Sequence, residues 1–352
     1  MTITETFHNK HEVFTEVAYK TPGMLPDRYV FILTNLCNLK CAFCFLKRKP
    51  TKESMAPEDW INLAEQLPEN ARVTITGGEP LLFTGFNKVF SYVAERFDCN
   101  IITNGLLLAD EKIDFLLSYS KLKVLSISID GIDNAIRGIK SEEWKGIEKV
   151  IEYFIKRRKE INSDCILEAK TLVLDQNAED LLKIHKYCVE TFGCDHHTFQ
   201  FLKGSPIQHA DYMFEFDEIF KRSGASRYRN FGMIKEGLEM VREYNIREGK
   251  RAFLHPKIAN LVSEDELTDI DFLNRRGHVK TDYLPCKFPW SSVHVNFDGV
   301  LFPCLAIPMG NVKKTPLSKI INGAEFNKFK AVIKERGTVE ACNRCGWLRP
   351  AG

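Results

Sequence analysis

The sequence predicts an α/β fold, a partial (β/α)6 TIM-like barrel followed by a C-terminal α+β region rich in cysteine. Three observations lead there. Six β-rich runs alternate with helical stretches between residues 28 and 203. The unusual turn segments all follow predicted strands. Four cysteines gather in the last 70 residues, around a hairpin signal.

The predicted strands are Tyr29–Thr34, Arg72–Thr76, Asn100–Thr103, Lys123–Ile129, Ile166–Leu174 and Thr198–Leu202. Helical patterns fall between them at Pro57–Gln66, Phe86–Phe97, Asp110–Leu117, Trp144–Lys159 and Ala178–Phe192. Alternation of this kind implies right-handed crossovers and a parallel sheet. Six units make less than the eight of a closed barrel, and chemistry gathers where such strands end. Four loops therefore belong on one rim: Asn35–Cys44, Gly77–Pro80, Asn104-Gly105 and Asp130-Gly131. Residues 1–27 form an N-terminal extension and 28–203 the barrel. Residues 204–283, rich in charge and aromatics without a βα rhythm, are expected as a helical insertion or cap. Residues 284–352 are the C-terminal domain, where Val293–Phe297 and Val300–Phe302 flank the turn pair Asp298-Gly299.

A chain of 352 residues with 44% hydrophobic and 27% charged content is ordinary for a globular protein. Its net charge of +2 gives no reason to expect nucleic acid or an anionic membrane as partner. No apolar run approaches the roughly 20 residues of a membrane span, and the first 30 residues lack a signal-peptide core, so a cytoplasmic location is expected. Eleven cysteines in a reducing compartment point to metal ligands or buried thiols rather than disulfides. Cys99, Cys165, Cys188 and Cys194 are scattered singly and read as small buried hydrophobes.

Cys37, Cys41 and Cys44 offer three thiolates from one short loop after the first strand. A structural zinc site takes four ligands, and this loop has no neighbouring histidine. A cubane iron–sulfur cluster can use three cysteines and leave one iron open. The spacing, with Phe43 before the third cysteine and Gly77-Gly78-Glu79-Pro80 after the second strand, resembles the signature of the radical S-adenosylmethionine (SAM) superfamily. The resemblance implies a 4Fe-4S cluster on the three cysteines, with SAM chelating its open iron. It further implies that Gly77, Gly78 and Glu79 line the methionine moiety, the glycines by letting the backbone approach the ligand and Glu79 by accepting from its ammonium. Ser128, Asn104 and Leu202 match family positions that contact SAM, Leu202 through its backbone near the adenine.

The second group combines Cys286-x12-Gly299-x4-Cys304 with Cys342-x2-Cys345. Two pairs of cysteines suit a zinc ribbon as well as an iron–sulfur site. Behind such a barrel, however, the pattern resembles the SPASM/twitch extension, here in its short twitch form. That resemblance implies one auxiliary 4Fe-4S cluster with all four cysteines as ligands, in a layout similar to the 2-deoxy-scyllo-inosamine dehydrogenase type.

The expected activity is therefore that of a radical SAM oxidoreductase. SAM would be cleaved to a 5′-deoxyadenosyl radical that abstracts a substrate hydrogen. The substrate would be a small metabolite, at an alcohol or amine carbon of a sugar or cyclitol, with electron transfer to the auxiliary cluster. An epimerase would need a hydrogen donor, for which Cys165, Cys188 and Cys194 are candidates. The alternative is a maturase that modifies a ribosomal peptide or protein by a thioether or carbon–carbon crosslink. Either needs an electron donor such as flavodoxin or ferredoxin. One of His196 and His197 should face the barrel interior, and no catalytic base is identifiable. Arg137 and Lys170 read as surface charges near strand ends that could meet an anion, as could the basic residues of 221–229 and 275–280.

Overall fold

The parallel strands form because each β-rich run is bounded by turn residues and followed by a helix with one apolar face. A computed structural model describes residues 3–47, 54–221, 228–249, 252–254, 283–342 and 344–348. Strands β1 (Arg28–Ile32), β2 (Arg72–Thr76), β3 (Asp98–Thr103), β4 (Leu122–Ser128), β5 (Ile166–Val173) and β6 (His196–Phe201) pair in that order, all parallel. A helix α1 (Ile3–Lys20) precedes them. The crossovers are α2 (Pro57–Ala64), α3 (Phe86–Arg96), α4 (Asp110–Leu117), α5 (Ser141–Glu160) and α6 (Leu181–Lys186). Helix α2 starts at Pro57, whose missing N–H costs nothing there. The Asp59 carboxylate closes the turn by accepting from Ala56 N at 2.9 Å. The expected helix over Ala178–Phe192 is broken into a 3-10 turn, α6 and a π turn at Tyr187–Thr191.

Within the segment expected as a cap, α7 (Phe231–Glu248) lies against α6, and Ile234, Leu238 and Val241 bury with Leu181 and Phe199. The chain then adds β7 (Ala252–Leu254) in parallel beside β6. This part of the segment joins the outer layer and the sheet. Residues 255–282, including the basic stretch 275–280, lie outside the described residues.

At the other edge the C-terminal region continues the same sheet. Strand β8 (Ser292–Val295) pairs in parallel with β1, Arg28 opposite Ser292 and Phe31 opposite Val295. The expected hairpin follows, with β9 (Val300–Phe302) antiparallel to β8 and β10 (Gly310–Asn311) antiparallel to β9. Gly299 turns it at φ +84°, a conformation costly for other residues. Helices α8 (Leu317–Ile321) and α9 (Ala324–Arg336) complete this region. The result is one ten-stranded sheet in the order β10-β9-β8-β1-β2-β3-β4-β5-β6-β7.

Period-two alternation sorts the two faces of the parallel strands. Outward residues such as Tyr29, Phe31, Val73, Ile75, Ile101 and Leu125 bury against the helices. Inward residues are largely polar: Arg72, Thr74, Asn100, Glu168, Lys170 and Thr198 face a cavity. The interior is thus a chamber, unlike the apolar core of a closed eight-stranded barrel. Residues 205–214 lie along the C-terminal region. Ala306 N donates to Ile207 O at 2.7 Å, and Phe214 N to Ala306 O at 2.9 Å. The Asp211 side chain accepts from Lys47 N at 2.8 Å, and its carbonyl from Asn296 Nδ2 at 3.1 Å. One residue thereby ties the end of the first cysteine loop to the hairpin.

Candidate active site

The rim loops converge as the strand order requires, and they enclose a cavity of about 1340 Å³. Ligand pockets commonly measure about 300–1,000 Å³, so this one has room for more than one ligand. Cys37, Cys41, Cys44, Phe43, Gly77, Gly78, Glu79, Asn104, Ser128 and Leu202 all line it.

The three thiols of the first loop are half-buried. Cys41 is raised by burial, lowered by the Arg137 guanidinium and raised again by Cys44, Asp130 and Cys37, which puts the three in one electrostatic neighbourhood. Cys37 Sγ accepts from Leu39 N at 3.4 Å and Asn104 Nδ2 at 3.8 Å. Amide donors of this kind orient a thiolate ligand and tune the cluster it holds. Three half-buried thiols with amide donors fit a three-cysteine cubane.

Gly77, Gly78 and Glu79 are also built into the packing of the chain itself. Glycine at 77 and 78 is required by the chain itself. A Cβ on Gly77 would lie 2.6 Å from Thr34 O, and one on Gly78 would overlap the Leu36 carbonyl. The loops after β1 and β2 touch backbone to backbone here, Gly78 N donating to Thr34 O and Glu79 N to Leu36 O, each at 2.7 Å. Glu79 is fully buried at the cavity wall, and its carboxylate bonds neighbouring loops. One oxygen accepts from Thr103 Oγ1 at 2.8 Å and Leu81 N at 3.2 Å, the other from Asn104 N at 2.9 Å. Burial pushes this carboxyl up, and those bonds pull it back. Through these bonds and its own N–H it joins the loops after β1, β2 and β3.

Asn104 extends that join, donating to Asn38 Oδ1 at 2.8 Å beside Cys37. Ser128 sits half-buried at the end of β4, its carbonyl accepting from Asn134 Nδ2 at 2.9 Å. Leu202 N donates to Tyr228 Oη at 2.8 Å, so of its backbone groups the carbonyl is the one left to meet a ligand.

Arg137 is no surface charge. It is 13% exposed and donates to Asp130 Oδ2 at 2.7 Å, while its guanidinium lies 5.8 Å from the Phe43 ring centroid. Asp130 also accepts from Leu172 N at 2.7 Å, linking the loop after β4 to strand β5. Lys170 faces the chamber and pairs with Glu168 at 3.0 Å. His196 is the histidine of the inner face, 3.5 Å from Glu168. His197 points outward, bonding Thr171 at 2.8 Å and His185 at 3.0 Å, and burial holds it neutral. Arg229 lines the rim. Cys165, Cys188 and Cys194 are buried away from the chamber, as is Cys99, so none is placed to donate hydrogen there.

In the second group, Cys304 faces Cys345, Cys342 and Cys286, and Cys342 faces Cys286 and Cys345. The four thiols share one neighbourhood, built by the hairpin, the 3-10 turn Glu340–Cys342 and the closing Cys-x2-Cys. Among the described residues no group of three or more His, Cys, Asp or Glu side chains is closed around a single-ion position. Cys345 alone of the four lines the chamber. Also among the described residues, no helix is long and apolar enough to cross a membrane.

Comparison with known proteins agrees with this geometry. Residues 31–188 match the Radical SAM superfamily and residues 286–346 match SPASM, an iron-sulfur cluster-binding domain. The sporulation killing factor maturation protein SkfB of Bacillus subtilis (strain 168) is 26% identical over 316 residues, 88% of this chain and 68% of SkfB. The antilisterial bacteriocin subtilosin biosynthesis protein AlbA of the same strain is 30% identical over 132 residues, 36% of this chain and 29% of AlbA. Streptococcus suis SuiB, in its crystal structure bound to precursor peptide SuiA, has a TM-score of 0.64 at 17% identity, covering 93% of this chain and 72% of SuiB. That last likeness is one of fold. The cofactors are SAM, a 4Fe-4S cluster and a SPASM auxiliary cluster, and the chain carries a Radical SAM domain over residues 31–188 and a SPASM domain over 286–346.

Proposed function

We propose that this enzyme modifies a peptide, installing a crosslink such as a thioether or a carbon–carbon bond. The similarity to SkfB along 88% of the chain carries the reading, since that relative is by name a maturation protein for a killing factor. It favours the peptide alternative over the sugar or cyclitol oxidation expected from the layout of the auxiliary cysteines. The large chamber is consistent with a peptide side chain entering beside SAM.

In this reading Cys37, Cys41 and Cys44 hold the SAM-binding cluster, and Cys286, Cys304, Cys342 and Cys345 the auxiliary one. When bound, these groups supply one-electron cleavage of SAM to a hydrogen-abstracting radical and an acceptor for the electron released later. Phe43, Asn104, Ser128 and the Leu202 carbonyl line the SAM pocket. The Arg137–Asp130 pair fixes the wall beside Phe43 and Cys41, and the buried Glu79 holds the loops that shape the pocket. Flavodoxin or ferredoxin serves as reductant.

The test is anaerobic turnover of the reconstituted chain with SAM, dithionite and cysteine-containing synthetic peptides. The expected product is a peptide lighter by two hydrogens, formed with 5′-deoxyadenosine. Unchanged peptides, with 5′-deoxyadenosine formation stimulated by sugars or cyclitols instead, would reject the peptide reading.

A further inference from the structure

The chamber wall between the two cysteine groups is cationic, and no contact described so far accounts for it. Lys203 follows Leu202 just past the end of β6 and lines the chamber together with Cys345. Its Nζ lies 5.9 Å from the ring centroid of Phe45, on the first cysteine loop. Its carbonyl accepts from Arg344 Nη2 at 3.5 Å, and Arg344 is the residue before Cys345. Behind it, His209 N donates to the Cys304 carbonyl at 3.1 Å.

The charged and titratable groups that bear on the Lys203 ammonium are the thiols of Cys345 and Cys304 and the Arg28 guanidinium, with burial lowering its pKa. Among the described residues no carboxylate is one of them. The carboxylates that line the chamber among the described residues have other partners: Glu79 has Thr103, Leu81 N and Asn104 N, Glu168 has Lys170, Asp130 has Arg137, and Asp175 accepts from Arg229 N and Asn230 N at 3.0 and 2.9 Å. An ammonium half-withdrawn from solvent is unfavourable there without a negative partner. Neutral thiols do not offset that cost, whereas a cubane ligated by four thiolates carries net negative charge.

We propose that Lys203 is the counter-charge of the auxiliary cluster, fixed on its chamber side beside Cys345, and that it raises the cluster's reduction potential. This rests on the reading that Cys286, Cys304, Cys342 and Cys345 hold that cluster. An electron arriving on the cluster adds negative charge close to the ammonium, in a wall where screening by solvent is weak. Nearby charge is one of the protein's means of setting a cluster's potential. Lys203 acts through the cluster and is a positioning residue.

The experiment is EPR-monitored redox titration of the reconstituted full chain, as wild type, Lys203→Met and Lys203→Arg, with iron measured on each sample. Wild type should hold about eight irons, enough for two cubanes. In Lys203→Met the reduction equilibrium constant of the auxiliary cluster should fall about tenfold, a midpoint about 59 mV more negative for a one-electron couple. Lys203→Arg should stay within about threefold of wild type, and the cluster on the first loop should not move in either. An unchanged midpoint in Lys203→Met, or an equal fall in Lys203→Arg, overturns the proposal. Loss of auxiliary iron in Lys203→Met alone supports it, because charge then holds the cluster, and loss in both variants overturns it. A wild-type content of about four irons removes the four-cysteine cluster reading, and the proposal with it.

Discussion

Glu168 shows how a buried carboxylate can be held ionised inside a chamber that must stay polar. Burial pushes its pKa up, but Lys170, His196 and the Ser126 hydroxyl outweigh burial and hold it well below its ordinary 4.5. Thr198 Oγ1 adds a bond of 2.6 Å. A depressed folded-state pKa contributes stability that is present above pH 4.5 and is lost as pH falls through the lower folded value. Glu168→Gln leaves Lys170 without its buried partner, a change that costs about 3–5 kcal/mol. Denaturant unfolding of the apoprotein should show that gap at neutral pH and a shrinking one below pH 4.5. A constant gap across that range would assign the effect to packing instead. Glu79 gives the complementary lesson. Its place after Gly77-Gly78 marks it in the sequence, but only the structure shows its oxygens engaged by Thr103, Leu81 and Asn104.

At the scale of elements, the core strands were legible because each β-rich run ends at a turn residue and precedes an amphipathic helix. Two elements and one pairing were not. Helix α1 exposes Val13 and Val17, so its pattern lacks a continuous apolar stripe. Strand β7 is three residues long and enters as a partner of β6, with no local alternation of its own. The hairpin turn at Asp298-Gly299 was visible, but the parallel pairing of β8 with β1 joins residues about 260 positions apart. Loop-to-loop fastening was hidden for the same reason. Asp130 joins the loop after β4 to β5 through Arg137 and Leu172 N. Asp130→Asn should therefore cost about 3–5 kcal/mol by stranding the buried guanidinium. SAM affinity should fall with it, as read by equilibrium dialysis. A variant that keeps wild-type stability would show that the pair does not brace this wall.

For the whole molecule, one continuous sheet brings a three-cysteine loop and a four-cysteine group to the same chamber, with Cys345 as the member of the second group on its wall. Both cysteine groups were readable as motifs. The cationic wall at Lys203 and Arg344 was not, because neither residue carries a pattern until the chain folds around it. The substrate class was readable only as an alternative, since the cysteines specify radical generation and electron transfer and leave the occupant of the chamber open. The central claim is that a peptide carbon gives its hydrogen to the SAM-derived radical. The most direct measurement is mass spectrometry of 5′-deoxyadenosine after turnover with a peptide deuterated at its reacting residue. The account predicts deuterium in 5′-deoxyadenosine together with a crosslinked peptide. Unlabelled 5′-deoxyadenosine beside intact peptide, under conditions where a small metabolite does transfer its label, would contradict it.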